Sequence, residues 1–155
     1  MAVESAETRN ALDESTLLGM RKRDLDAIFG AAPPGGVPLG VLDGTALLVP
    51  GRTLGRLLSK VVRALFWRGK VVEPTGHALR NRIGPLGLRA IAAAVYPGES
   101  RVDGQPCTVL DYSVTSVVAG GVRDEIRLIA PGLYLGVVWL YGRRVAWFTL
   151  RTRRP

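Results

Sequence analysis

The residue with the most chemical content in this 155-residue chain is a carboxylate on the apolar row of an expected strand. Between Val122 and Ala130 the even positions read Val122, Asp124, Ile126, Leu128 and Ala130. The odd positions read Arg123, Glu125, Arg127 and Ile129. Side chains alternate between the two faces of a strand, so Asp124 shares the core face. A buried carboxylate is costly unless it is paired or protonated, and such groups mark functional sites. The alternative is a strand-end residue that reaches solvent or a turn amide. The row Thr108, Leu110, Tyr112, Val114, Ser116 points the Tyr112 and Ser116 hydroxyls inward. The row His77, Leu79, Asn81, Ile83 does the same for Asn81. Both Asn81 and Tyr112 can donate a hydrogen bond to a carboxylate. The expectation is that Asp124 lies within one side chain's reach of Tyr112 or Asn81. Beside it should be an apolar pocket lined by Leu110, Val114, Ile126, Leu128, Leu135 and Trp139. Asp124 and Tyr112 are the candidates for acid–base catalysis; a purely structural hydrogen-bond network is the alternative.

Other chemistries find little support. His77 is the only histidine and sits at a strand start, where an exposed imidazole is ordinary. No cluster of His, Cys and carboxylates suggests a metal site, and no cofactor is expected. Asp124 and Glu125 point to opposite faces of one strand and cannot act as a facing pair. Ser113, Thr115 and Ser116 lack the glycine-flanked elbow of a serine hydrolase. Gly40-Val41-Leu42-Asp43-Gly44 lacks the context of a phosphate loop. Arg151 to Arg154 reads as a solvated basic tail.

Short strands must position these groups. Val41–Val49, Lys70–Glu73, His77–Ile83, Leu88–Tyr96, Cys107–Val118, Val122–Ile129, Leu133–Tyr141 and Arg144–Arg151 are predicted as strands. The links carry Pro74-Thr75-Gly76, Gly84-Pro85, Pro97-Gly98, Asp103-Gly104, Gly120-Gly121, Pro131-Gly132 and Gly142. They are too short for helical crossovers, so neighbours should pair antiparallel. A short helix around Leu25, Ile28 and Phe29, capped by Asp24, and a longer one over Thr53–Trp67 are predicted in the N-terminal half. Residues 1–20 are expected to be a disordered N-terminal segment, followed by a single domain over 21–155. The fold class is mainly β with minor α: a small antiparallel meander barrel, which hides one apolar face and removes open edges.

The single cysteine, Cys107, excludes an internal disulfide framework and fits a reducing cytoplasm, the expected compartment. No secretory signal or run of membrane-span length is visible. The net charge is +8, carried mostly by arginine. Such a charge attracts anionic partners, but no nucleic-acid motif accompanies it, so a nucleic-acid role is disfavoured. Arg52, Arg56, Lys60 and Arg63 on the longer helix make a transient membrane-surface contact conceivable, with little vesicle binding expected.

The chain also resembles a known family. The features are a Leu25–Phe29 helix, Pro33-Pro34, a Gly40-x-Leu42-x-Gly44 segment and Trp67-Arg68-Gly69-Lys70. They continue with Asp111-Tyr112, Arg123-Asp124-Glu125-Ile126-Arg127, Leu135-Gly136 and the closing Trp147-Phe148-Thr149-Leu150. Over roughly residues 24 to 151 this resembles the GXWXG-type bacterial proteins of uncharacterised function. Leu42 stands where that signature has its tryptophan. The resemblance implies a calycin-like barrel, lipocalin-like in shape, with a cavity for a small apolar molecule. The leading expectation is therefore a binding module for a hydrophobic ligand, lipid or isoprenoid-like. An enzyme using Asp124 and Tyr112 on an apolar substrate ranks second, and a basic surface binder third.

Overall fold

In the computed structural model, residues 12–47, 67–84, 86, 88–117 and 119–153 are described. Among the described residues, two helices, α1 (Glu14–Leu17) and α2 (Lys22–Ala31), precede eight strands. These are β1 (Gly40–Leu47), β2 (Gly69–Val72), β3 (Ala78–Ile83), β4 (Leu88–Glu99), β5 (Pro106–Asp111), β6 (Val122–Ala130), β7 (Leu133–Leu140) and β8 (Arg143–Thr152). Each strand pairs antiparallel with its sequence neighbours, and β8 returns to β1, closing the barrel. All eight strands expected from alternation and turn chemistry are present. The helix expected over Thr53–Trp67 lies outside the described residues except for Trp67, and with it the basic set Arg52, Arg56, Lys60 and Arg63.

The start of the chain differs from expectation. The segment expected to be disordered through residue 20 contains α1. Asp13 caps it by accepting the Thr16 amide at 2.8 Å, and Leu17 is buried. Those cap hydrogen bonds, led by the Ser15 hydroxyl, hold the Asp13 carboxyl down at about 2. The helix α2 starts before Asp24, which lies in its first turn, where the helix dipole favours an acid; its N-cap is Arg21. Pro33 and Pro34 follow its end.

Two apolar layers result. One fills the barrel, with Leu42, Leu79, Val95, Leu110, Ile126 and Leu150 among its members. The other lies outside the wall, where Leu17, Leu25 and Phe29 of the helices cover Ile129, Leu135, Val137 and Trp147. Burying each of those three helical side chains stabilises by about 1.5–3 kcal/mol, which is why so short a pair of helices holds to the sheet.

The connection after α2 closes one end of the barrel. Pro33 accepts the Leu128 amide at 3.1 Å, and the Gly36 carbonyl accepts the Tyr134 hydroxyl at 2.7 Å. Val37 and Pro38 then cap Leu42, Val72 and Ile126, leaving no room between them for a water molecule. The opposite end, the mouth, is where β3 passes to β4, β5 to β6 and β7 to β8, and where β1 passes to β2 through residues that mostly lie outside the described ones.

Two strand boundaries moved for physical reasons. Strand β4 runs through Pro97-Gly98 to Glu99 rather than turning there. Pro97 lies beyond the last β3 partner, Ala94, so its missing amide hydrogen leaves no ladder bond unmade. Strand β5 stops at Asp111, not Val118. Asp111 accepts the Ser113 amide at 2.9 Å, and the Tyr112 carbonyl accepts the Ser116 amide at 3.0 Å, turning the chain at the mouth.

Candidate functional site

The hairpin β2–β3 sets Lys70 opposite Asn81 and Val72 opposite Leu79. On the far wall, β5–β6 pairing sets Leu110 opposite Asp124. The turn after β5 leaves the Tyr112 ring inside the barrel. All four polar side chains therefore converge in the half of the interior nearer the mouth, each nearly or fully buried.

The hydrogen-bond accounting is almost complete. The Lys70 ammonium spends its three donors on the Asn81 Oδ1 (3.0 Å), the Tyr112 hydroxyl (2.5 Å) and the Asp124 Oδ2 (2.9 Å). Tyr112 donates to Asp124 Oδ2 at 3.3 Å. Asn81 Nδ2 donates to Tyr112 Oη and to the Ile91 carbonyl, each at 3.0 Å. Trp67 Nε1 donates to Asn81 Oδ1 at 3.1 Å. Among the described residues one oxygen has no partner: Asp124 Oδ1, buried. The rings of Trp67, Tyr112 and Phe148 surround the ammonium at 5.5, 5.2 and 5.4 Å from their centroids. Such contacts offset part of the cost of desolvating a cation.

Two backbone features make space for the cluster. Gly44 lies against the Trp67 ring, where a Cβ would collide with the indole. Ile91 adopts φ 54°, a left-handed conformation rare for a β-branched residue. It is the extra residue of a bulge, since Arg80 pairs with Ala92 while Asn81 pairs with Ala90. The bulge aims the Ile91 carbonyl at Asn81, and strain of this kind concentrates at functional sites.

Burial alone would push the Lys70 ammonium down, but the Asp124 carboxylate and Tyr112 outweigh it and hold the group above its ordinary value. Burial pushes the Tyr112 phenol up to about 12. Both groups keep their protons in the folded protein at a pH where the unfolded chain releases them. The contribution of these two groups is therefore full below about pH 10 and is lost as pH rises beyond it. The tyrosine part amounts to about 3 kcal/mol by pH 12, from a two-unit displacement. Urea midpoints at about pH 8 and about pH 11 should show this drop in the wild type and a smaller one in Tyr112→Phe. Equal drops in the two proteins would remove Tyr112 from this account.

The sequence-derived candidates divide clearly. Asn81, Tyr112 and Asp124 meet, and Leu110, Ile126 and the half-buried Leu128 belong to the inner layer. Val114 does not line the interior: it is 78% exposed on the turn that ends β5. Ser116 is in the same loop and accepts the Ala119 amide. Leu135 and Trp139 face outward, under the helices, while Tyr134, Gly136 and Val138 supply the inner row of β7. Both rows of that strand are apolar because both faces are covered. His77 is exposed at the closed end. Burial first, then Glu125, pushes the Cys107 thiol up to about 11, so it is no nucleophile near neutrality. Arg153 forms a two-bond ion pair with Asp43 at 2.9 and 2.8 Å rather than standing free in solvent. Sequence reasoning missed Lys70. Its signal lay in hairpin register: counting back from the turn at 74–76 places Lys70 beside Asn81.

Around the cluster, Ile91, Ala119, Val122 and Val138 form a half-buried apolar collar on the mouth side. The arrangement is an electrically neutral polar floor, with one acceptor to spare, below an apolar rim.

A crystal structure of a protein from Thermomonospora curvata is similar in fold, with a TM-score of 0.62 over 99% of this chain and 96% of that one. The identity is 16%, so the likeness concerns the fold alone. No protein-family model matches the chain, and no curated protein matches it.

Proposed function

We propose that the protein binds a small, mostly apolar molecule carrying one hydrogen-bond donor. The apolar body would rest on Ile91, Ala119, Val122 and Val138, and its donor would meet Asp124 Oδ1. The observation that carries this reading is that buried, unpartnered carboxylate oxygen. A buried acceptor left unpaired costs about 1–3 kcal/mol or more when charged, and a ligand O–H or N–H recovers it. The packed closed end leaves the mouth side as the place for the ligand. The up-and-down barrel is the architecture of lipocalin-like binders, which supports the same reading. The barrel fits the shape that the resemblance to the GXWXG-type proteins implies, while Leu42, buried in the inner layer, departs from that signature at its tryptophan position.

An enzyme using this cluster is the second reading, favoured by the 2.5 Å contact between Lys70 and Tyr112. The proton affinities argue against it. An efficient general acid or base titrates near the working pH, and both groups are shifted away from neutrality.

The test uses two fluorescent probes of matched shape, 2-naphthol and 2-methoxynaphthalene. Only the first can donate. A site that satisfies a buried acceptor should prefer 2-naphthol by at least about tenfold, the equivalent of about 1.4 kcal/mol. The neutralised pair Lys70→Met with Asp124→Leu, which leaves no acceptor at this position, should lose that preference while still binding both. Equal affinities in the wild type, or no binding, would refute the proposal.

A further inference from the structure

The mouth has a second property that the polar cluster does not use. Four large apolar side chains stand out from it: Leu86 (85% exposed), Val114 (78%), Val117 (103%) and Tyr141 (83%). They come from three separate connections, β3–β4, β5–β6 and β7–β8, which share nothing but this end of the barrel. Single exposed apolar residues need no explanation, but four large ones gathered at one end of the barrel point to an interaction surface.

Charge indicates what covers it. Residues 84–87, 112–121 and 141–142 contain no Asp or Glu. Arg89 and Arg143, next to this rim on β4 and β8, are exposed. The molecule as a whole carries +8. Connections at the closed end include Glu73 and Asp103. An apolar rim flanked by arginines, whose one adjoining acid, Asp111, is engaged by the Ser113 amide and the Tyr96 hydroxyl, complements a bilayer with anionic headgroups: the rim reaches the acyl boundary while the arginines stay at the phosphates.

We propose that the mouth end of the barrel docks on anionic lipid membranes, with Leu86, Val114, Val117 and Tyr141 entering the interface. No helix among the described residues is long and apolar enough to cross a membrane, so the contact is peripheral. Sequence alone ranks membrane contact last and assigns it to the basic helix and the Arg-rich tail, because that helix is short and only moderately basic; which loops share an end is not legible from alternation. Docking of this kind would bring the collar to the layer in which apolar molecules dissolve.

The experiment is co-sedimentation of the full chain with vesicles of phosphatidylcholine alone or with about one third phosphatidylglycerol. Each arginine near an anionic surface raises partitioning about fivefold, so the mixed vesicles should bind at least about tenfold more protein. Raising salt from about 0.1 M to about 1 M should reverse most of that gain, because the screening length falls from about 10 to about 3 Å. Val117→Asp with Tyr141→Asp should cut binding at least about tenfold. Leu39→Asp, an equally simple change at the closed end (Leu39 is 54% exposed), should leave it intact. Both variants alter exposed residues, and unchanged circular dichroism would show that each is folded. Equal loss in both variants, equal binding to both vesicle types, or no binding overturns the proposal. So does association of the protein with itself, lost in the mouth variant, in place of vesicle binding. Retained 2-naphthol binding in the mouth variant would separate failure of this surface from failure of the ligand site.

Discussion

Lys70→Met should destabilise the protein by about 3–5 kcal/mol, read as a lowered urea midpoint at unchanged slope. The methionine fills similar space but removes three hydrogen bonds and leaves the Asp124 carboxylate buried without its cation. The cost arises mainly from the orphaned charge rather than from the attraction lost. Removing both charges, by Lys70→Met with Asp124→Leu, should therefore recover most of the stability. A coupling of at least about 2 kcal/mol in the double-mutant cycle is expected. If Lys70→Met cost less than about 1 kcal/mol, the ammonium would have to be hydrated, and the account of the barrel interior would fail.

Arg127→Met should cost a comparable amount, about 3–5 kcal/mol, at a site remote from the polar cluster. The guanidinium is fully buried outside the wall and holds three segments together. It donates to the Phe29 carbonyl at the end of α2 (2.9 Å), to the Pro106 and Gln105 carbonyls (3.0 and 2.9 Å), and to both Asp103 oxygens (2.7 and 2.6 Å). These bonds hold the Asp103 carboxyl below its ordinary range. It also lies 4.5 Å over the Phe29 ring. Lysine cannot reproduce a planar fork, so Arg127→Lys should rescue little. Amide hydrogen exchange should speed up in α2 and the β4–β5 turn in either variant, and not in the Lys70 variant. Uniform exchange would mean that Arg127 does not fasten these segments.

Arg127 also shows where reading the sequence stops. Alternation on β6 assigned Asp124 and Ile126 to one face and Glu125 and Arg127 to the other, and that division holds. It said nothing of what covers the second face. Glu125 is as buried as Arg127 because Ser100 and the Arg101 amide from the β4–β5 turn reach it, at 2.6 and 3.0 Å. The same cause misdirected Leu135 and Trp139: where helices cover the outer wall, both rows of β7 are apolar, and hydrophobicity no longer distinguishes inside from outside. Asn81, Tyr112 and Asp124 were legible because each interrupts an apolar row. Lys70 was not, because a four-residue strand offers too few alternations to establish a row. Val114 failed for a different reason: hydrogen bonds to Asp111 and Tyr112 ended the strand where the apolar alternation continued.

Strands β1 and β8 are far apart in the chain, yet they pair from Leu42↔Thr152 to Leu47↔Trp147. Loop-closure entropy delays such a contact relative to the pairings between sequence neighbours, which form across short turns. The helix α1 sits across that late seam. Its Glu14 accepts the Thr149 hydroxyl of β8 at 2.7 Å and the Thr45 hydroxyl of β1 at 3.3 Å. Contacts made only after the rate-limiting step slow unfolding and leave the folding rate unchanged. Removing the Glu14 contacts, by Glu14→Ala, is thus expected to shorten the lifetime of the closed barrel more than it changes the speed of its assembly.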